Sequence, residues 1–180
     1  MPVEALRRSV LASLMAALTA VGAYIYIPVG PVPIVLSSFF VLLSGLLIGG
    51  RWGLITMGLY LLVGAMGIPV FAGGKGGLAH FIGPTGGYLF GYVLSACVAG
   101  YISERGRGSA VLDIMGIVIG SLSIYLIGIP WLKVVINLSW SKSFMVGMAP
   151  FLIGDVVKGA AAFIVARSVR PILSRQSACP

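Results

Sequence analysis

Asp155 and Lys158 are the residues of this chain whose types and spacing could do chemistry. They lie in the stretch Pro150 to Arg170, PFLIGDVVKGAAAFIVARSVR, three positions apart, so on a helix they share one face. The stretch is apolar and long enough to cross a bilayer, where one ionisable side chain costs roughly 2.5–3.5 kcal/mol. Two such groups need a compensating environment. Either each charge neutralises the other as a structural pair, or both form a polar patch in a buried solute pocket. Catalysis fits less well. Hydrolysis inside a membrane calls for a serine, or paired aspartates, with a base at membrane depth. The chain has one histidine, His80, placed in a loop without ligand-type neighbours, which also argues against a metal site. Asp113 falls in the first turn of a predicted helix, where an acid suits the dipole.

A second candidate is the loop PVFAGGKGGLAHFIGPTGGYLFGY, in which Gly73, Gly74, Gly76 and Gly77 surround Lys75. A nucleotide-binding loop would need Ser or Thr after the lysine and a strand before it, and Gly76 follows Lys75. The chain therefore binds no ATP itself, and energy for uphill movement would come from a partner or an ion gradient. The glycines either make a flexible loop or bring backbone N–H groups close to an anion. The adjoining GPTGGY, residues 83–88, favours the second alternative. Pro84 suits a first helical turn, with Gly83 or Thr85 as cap. A helix N-terminus there presents positive dipole and N–H groups to a carboxylate. Tyr88 and Phe81, with Trp131 and Trp140, are interfacial anchors or ring-stacking walls, anchoring being the better fit for the tryptophans.

The elements that position these residues read as membrane helices. Of the 180 residues, 59% are hydrophobic and 9% charged, against about 25% charge in soluble domains. At about 20 residues per crossing the length allows six. The candidate crossings are roughly 9–27, 34–50, 52–68, 85–103, 110–129 and 150–169. The expectation is an all-α membrane protein: one integral membrane domain over 1–180, built of three sequential helical hairpins. Long apolar runs without alternation exclude a barrel. The first run resembles a signal peptide, but five more follow it, so an uncleaved first crossing is expected. Cys97 and Cys179 suggest no disulfide framework.

Ile27-Pro28, Ile68-Pro69 and Ile129-Pro130 close the first, third and fifth runs, while Pro33, Pro84 and Pro150 open the others. Every arginine falls at the opposite ends: Arg7, Arg8, Arg51, Arg105, Arg107, Arg167, Arg170 and Arg175. By the positive-inside tendency both termini are cytoplasmic and the hairpin loops lie outside. The net charge of +8 reflects this bias rather than nucleic-acid binding. Counting from Pro150 at about 1.5 Å per residue, Asp155 and Lys158 lie about 8 and 12 Å below the outer surface. Both fit a cavity that opens outward. Gly83, Gly87, Gly91, Ser95, Ala99 and Ser103 form a stripe for close helix packing. Ala12, Ala16 and Ala20 form another, explained equally by internal packing or by docking to another membrane protein.

The glycine-rich loop, GPTGGY and a late helix with Asp-x-x-Lys together resemble the BioY family, the biotin-specific S component of energy-coupling factor transporters. The similarity covers nearly the whole chain. It implies a multi-pass cell-membrane protein of six helices that captures biotin from outside, without a cofactor of its own. It also implies partners: a transmembrane coupling protein and two ATPase subunits, which bind the ATP. The family's first helix carries an Ala-x-x-x-Ala motif that contacts the coupling protein, and Ala12, Ala16 and Ala20 match it. The pocket residues implied are Asp155, Lys158 and the segment Gly83 to Tyr88, with Thr85 inside it. Gly73, Gly74 and Lys75 are further contacts, Lys75 to the carboxylate. Asp155 would accept the ureido N–H bonds, and Lys158 would donate to the ureido oxygen or to the carboxylate. An S component for another vitamin, a membrane-embedded enzyme and a scaffold are the alternatives.

Overall fold

The computed structural model describes residues 3–106 and 108–175; Arg107 and Cys179 lie outside the described residues. The chain runs α1 (Val3–Tyr24), β1 (Tyr26–Ile27), β2 (Ile34–Val35), α2 (Ser37–Ile48), α3 (Gly50–Ala65), α4 (Ala79–Ile82) and α5 (Gly86–Arg105). It continues through α6 (Ala110–Val135) and α7 (Trp140–Gly147) to α8 (Leu152–Arg175). Each expected crossing has its helix, but their lengths differ. Among the described residues, α1, α5 and α6 are long and apolar enough to cross a membrane. The pair α7 and α8, bent by 47°, makes a fourth if it counts as one span. Helix α2, at 12 residues, is only about 18 Å long.

The protein is not wholly helical. The first loop is a small antiparallel hairpin in which Tyr26 pairs with Val35 and Ile27 with Ile34. The last expected loop contains α7, capped by the Ser139 side chain, which accepts from the Lys142 amide. Nor does Pro130 end its helix. It sits inside α6, which runs on to Val135 because the turns beyond the proline are held by packing. Leu132 is fully buried, and Trp131 donates its indole N–H to the Gly83 carbonyl at 3.0 Å. Pro84 and Pro150 precede their helices rather than occupying the first turn, since α5 opens at Gly86 and α8 at Leu152.

Helix α5 is central, packed on α2, α3 and α6. Its small-residue stripe makes these approaches possible. A Cβ on Gly91 would meet the Ile124 carbonyl oxygen at 2.8 Å, and one on Gly100 would meet the Gly50 amide nitrogen at 2.3 Å. Ser95 and Ala99 are fully buried on the same helix, whereas Gly83 lies before it. One apolar cluster, including Met57, Tyr60, Tyr92 and Phe151, fills the half beneath the loops. Another, including Leu42, Leu46, Ile117 and Ala162, fills the other half.

The alanine strip of α1 is turned inward. Ala12 is 3% exposed and Ala16 7%, and Ala16 and Ala20 join the cluster that holds Met57 and Tyr60. In the single chain the strip packs against the neighbouring helices, one of the two readings its spacing allows. Small side chains let α1 lie close to its neighbours, and Ser37 donates across this contact to the Thr19 carbonyl at 3.0 Å. Ala16→Leu is expected to overpack this seam and to destabilise the fold by about 1–3 kcal/mol. Thermal unfolding in detergent reads the effect, and an unchanged midpoint would return the strip to the surface.

The opposite end is bolted by an ion cluster. Asp113, 1% exposed, accepts from Arg170 at 3.0 and 3.1 Å and from Ser103 at 2.5 Å. Arg170 also donates to the Leu46 carbonyl at 3.0 Å, tying α8 to α2, α5 and α6. The acid expected to sit near the surface and answer a helix dipole is instead a buried structural partner.

Candidate functional site

Asp155 lies in the first turn of α8, which begins at Leu152 rather than Pro150. Its own amide donates to the Phe151 carbonyl at 2.8 Å. One turn further, Lys158 Nζ stands 3.7 Å from Asp155 Oδ1. The pair is 18% and 12% exposed at its side chains, so water screens it poorly. Two further side chains orient it. The Tyr125 hydroxyl of α6 donates to Asp155 Oδ2, and Lys158 donates to Ser38 Oγ at 3.1 Å. Ser38 belongs to the first turn of α2, so the site joins three helices distant in sequence.

The charges are not sealed against each other. They line a narrow recess of about 40 Å³ together with Val32, Val35, Tyr88 and Tyr92. Those four residues also line a larger cavity of about 380 Å³ beneath the loops, within the range of small-molecule sites. The larger cavity has Lys75, Gly73, Gly83 and Thr85 on its walls. Its roof is the hairpin segment from Pro28 to Pro33. The two spaces are neighbours along one wall, so an elongated solute could reach from Asp155 towards Lys75.

Each expected residue can now be placed. Tyr88 is 7% exposed, stacks on Phe151 with ring centroids 6.4 Å apart, and donates to the Gly147 carbonyl at 2.8 Å. That fixed ring is shared by both spaces. Thr85 stands at the N-cap of α5 but makes no side-chain cap bond. Gly73 and Gly74 adopt φ of 73° and 71°, the left-handed region that favours glycine, and form the turn closed by the Phe71–Lys75 bridge. Gly74 faces Tyr24 and does not line the cavity. Phe81 packs on Phe71 and Phe90 in the core and is not a cavity wall. Trp131 packs against Gly86 and Gly87, so its role is internal rather than interfacial. Trp140 is exposed, with Lys133 Nζ 5.1 Å from its ring centroid.

Ser38, Tyr60, Tyr92 and Tyr125 are the wall and anchor residues that sequence reasoning passed over, and His80, read there only as a poor base or metal ligand, is a further wall residue. A signal existed for the tyrosines. Each puts a hydroxyl into an otherwise apolar run, and a buried tyrosine hydroxyl needs a partner. Burial, with the Lys75 ammonium next, holds the His80 imidazole below its ordinary value, so it is neutral at pH 7. No group of three or more His, Cys, Asp or Glu that could hold a metal occurs among the described residues. Chemically, the site offers a charged acceptor and a charged donor at one end and Lys75 at the other. A solute with N–H groups, a carbonyl and an acid tail would satisfy all three.

Comparison with known proteins identifies the family. The family model described as the BioY family matches residues 1–175. The "Probable biotin transporter BioY" of Pyrococcus horikoshii is 42% identical over 160 residues, covering 89% of this chain and 94% of that protein. The "Biotin transporter BioY" of Thermotoga maritima is 39% identical, with 93% and 98% covered. In fold, the chain resembles a crystal structure of the S component for biotin from an ECF-type ABC transporter. The TM-score is 0.88 at 24% identity, over 95% of this chain and 94% of that one. Helices that can cross a bilayer, a charged pair opening into a loop-covered cavity and these matches lead to one conclusion: this multi-pass membrane protein belongs to the BioY family.

Proposed function

We propose that the chain captures biotin and takes it up across the cell membrane as the substrate-binding component of an ECF-type transporter. The observation that carries this reading is the Asp155–Lys158 pair, desolvated yet opening beside a cavity that extends to Lys75. Biotin's ureido ring brings two N–H donors and one carbonyl, and its valerate ends in a carboxylate. Asp155 accepts the N–H bonds, Lys158 donates to the carbonyl, and Lys75 meets the carboxylate near the mouth. Charged partners make each bond shorter and roughly twice as strong as a neutral one. Tyr88 and Tyr92 flank the apolar ring. The first hairpin and the 69–84 loop act as lids over the bound vitamin.

Six helices, α1, α2, α3, α5, α6 and α8, traverse the membrane, the short ones where the bilayer thins around them. Both termini face the cytoplasm, because the arginines gather at that end. A transmembrane coupling protein and two ATPase subunits supply the energy, and ATP binds to those subunits alone. With Ala12 and Ala16 occupied internally, the coupling protein contacts α1 elsewhere on its surface.

Equilibrium dialysis of the purified protein with labelled biotin tests the proposal. The expected result is saturable binding of one biotin per chain, with thermal stabilisation by biotin and not by other vitamins. Stabilisation by a different vitamin would reassign the substrate, and no stabilisation by any would leave a scaffold.

A further inference from the structure

Helices α6 and α8 run antiparallel and are joined at both ends. Arg170 meets Asp113 at 3.0 Å at one end, and the Tyr125 hydroxyl donates to Asp155 at the other. Between these bonds Gly159 is buried against Ile117, where a Cβ would stand 2.9 Å from the isoleucine side chain. Over that contact the helices part and leave a groove of about 440 Å³. One wall is Ile114, Val118, Leu122 and Tyr125 of α6. The other is Leu152, Val156, Ala160 and Phe163 of α8. In each the residues recur every three or four positions, so each wall is one face of its helix. Ile114 is 50% exposed, Val118 50%, Leu122 49% and Val156 72%, so the groove opens on the outside of the bundle.

Because α6 is long and apolar enough to cross a bilayer in a multi-pass membrane protein, what meets this outer face is hydrocarbon. The groove's dimensions then select the kind. From Ile114 to Tyr125, and from Leu152 to Phe163, each wall runs about 16 Å at about 1.5 Å per residue. That is about half of a hydrocarbon core of roughly 30 Å, the depth that the chains of one leaflet fill. A partner's membrane-spanning helix would run the full thickness, whereas this groove ends at Phe163, over whose ring the Arg167 guanidinium lies at 5.7 Å. An unfilled groove would forfeit the dispersion contacts of both walls. At its other end stand Tyr125 and Asp155, and both also line the solute recess. These two side chains therefore divide the recess from the membrane.

We propose that the groove between α6 and α8 seats one acyl chain of a membrane phospholipid, which packs behind Tyr125 and Asp155 and closes the recess from the membrane side. The seat does not depend on the biotin reading.

Thermal unfolding of the full chain in digitonin, a detergent without an alkyl chain, tests it. Phosphatidylcholine is expected to raise the midpoint in a saturable way, and glycerophosphocholine, the headgroup without chains, is not. Ala160→Trp and Val118→Trp fill the groove from opposite walls and are expected to abolish the rise. Both positions are exposed, so the variants should fold, and a cooperative melt would verify that they have. Leu126→Trp, at a 70% exposed α6 position outside the groove, is expected to keep the rise. Either groove variant stabilised as much as the wild type would overturn the proposal, as would loss of the rise in Leu126→Trp. Glycerophosphocholine reproducing the rise would overturn it in favour of a headgroup site. No rise in the wild type would overturn it in favour of a groove kept for a partner's helix.

Discussion

Asp155→Asn is expected to lower the affinity for biotin at least tenfold. The substitution keeps the shape of the side chain and removes the charge. In the wild type, Tyr125 holds one carboxylate oxygen and the other faces Lys158 at 3.7 Å. Hydrogen bonds to charged groups contribute about 1.5–3 kcal/mol, and about 1.4 kcal/mol is a factor of ten in affinity. With its oxygen towards Lys158, the asparagine turns its NH2 towards Tyr125, whose hydroxyl must then accept instead of donating, and no charged acceptor remains for the ligand. Isothermal titration measures the loss. Thermal unfolding without biotin separates it from misfolding, since Lys158 keeps its bond to Ser38 in the variant. An unchanged dissociation constant would remove Asp155 from the binding site and leave the pair as a structural one.

Arg170→Met is expected to cost about 3–5 kcal/mol of stability, the usual consequence of removing one member of a buried ion pair. Asp113 would keep only Ser103 and the half-exposed Arg167, whose nearest nitrogen is 3.6 Å away. Methionine replaces the apolar stem of the arginine but none of its bonds to Asp113, Ser103 and Leu46. The loss should fall on folding rather than on recognition, because Arg170 lies about 22 Å along α8 from Asp155. Combining it with Asp113→Asn should recover much of the loss, since no uncompensated charge then remains. A single variant with a wild-type melting midpoint would show that the cluster contributes nothing.

These two expectations concern one helix read in two ways. Both charged positions near the start of α8 were legible in the sequence, because an acid and a base three apart in an apolar run have few bland explanations. The helices were legible for the same reason: long apolar runs, interrupted by proline and glycine, admit little else in a membrane. Spacing alone likewise marked the stripe on α5 as a packing surface, because small residues four apart lie on one side of a helix. The glycine loop and GPTGGY lay in plain view, and with Asp-x-x-Lys they carried the family resemblance.

What the tertiary structure alone decided is which residues meet. Ser38 and Tyr125 stand 120 and 30 positions from their partners Lys158 and Asp155, and no local pattern links them. The direction in which the α1 alanines face was equally hidden, since a strip of small residues is the same string whether it packs inside or outside. Asp113 looked like a dipole partner because its pairing with Arg170 spans 57 positions. Periodicity reports the face a residue occupies on its own helix, whereas the neighbour across that face depends on how the helices cross. That crossing is settled by packing over the whole chain, at contacts such as Gly100 on Gly50, and the candidate site inherits its geometry from them.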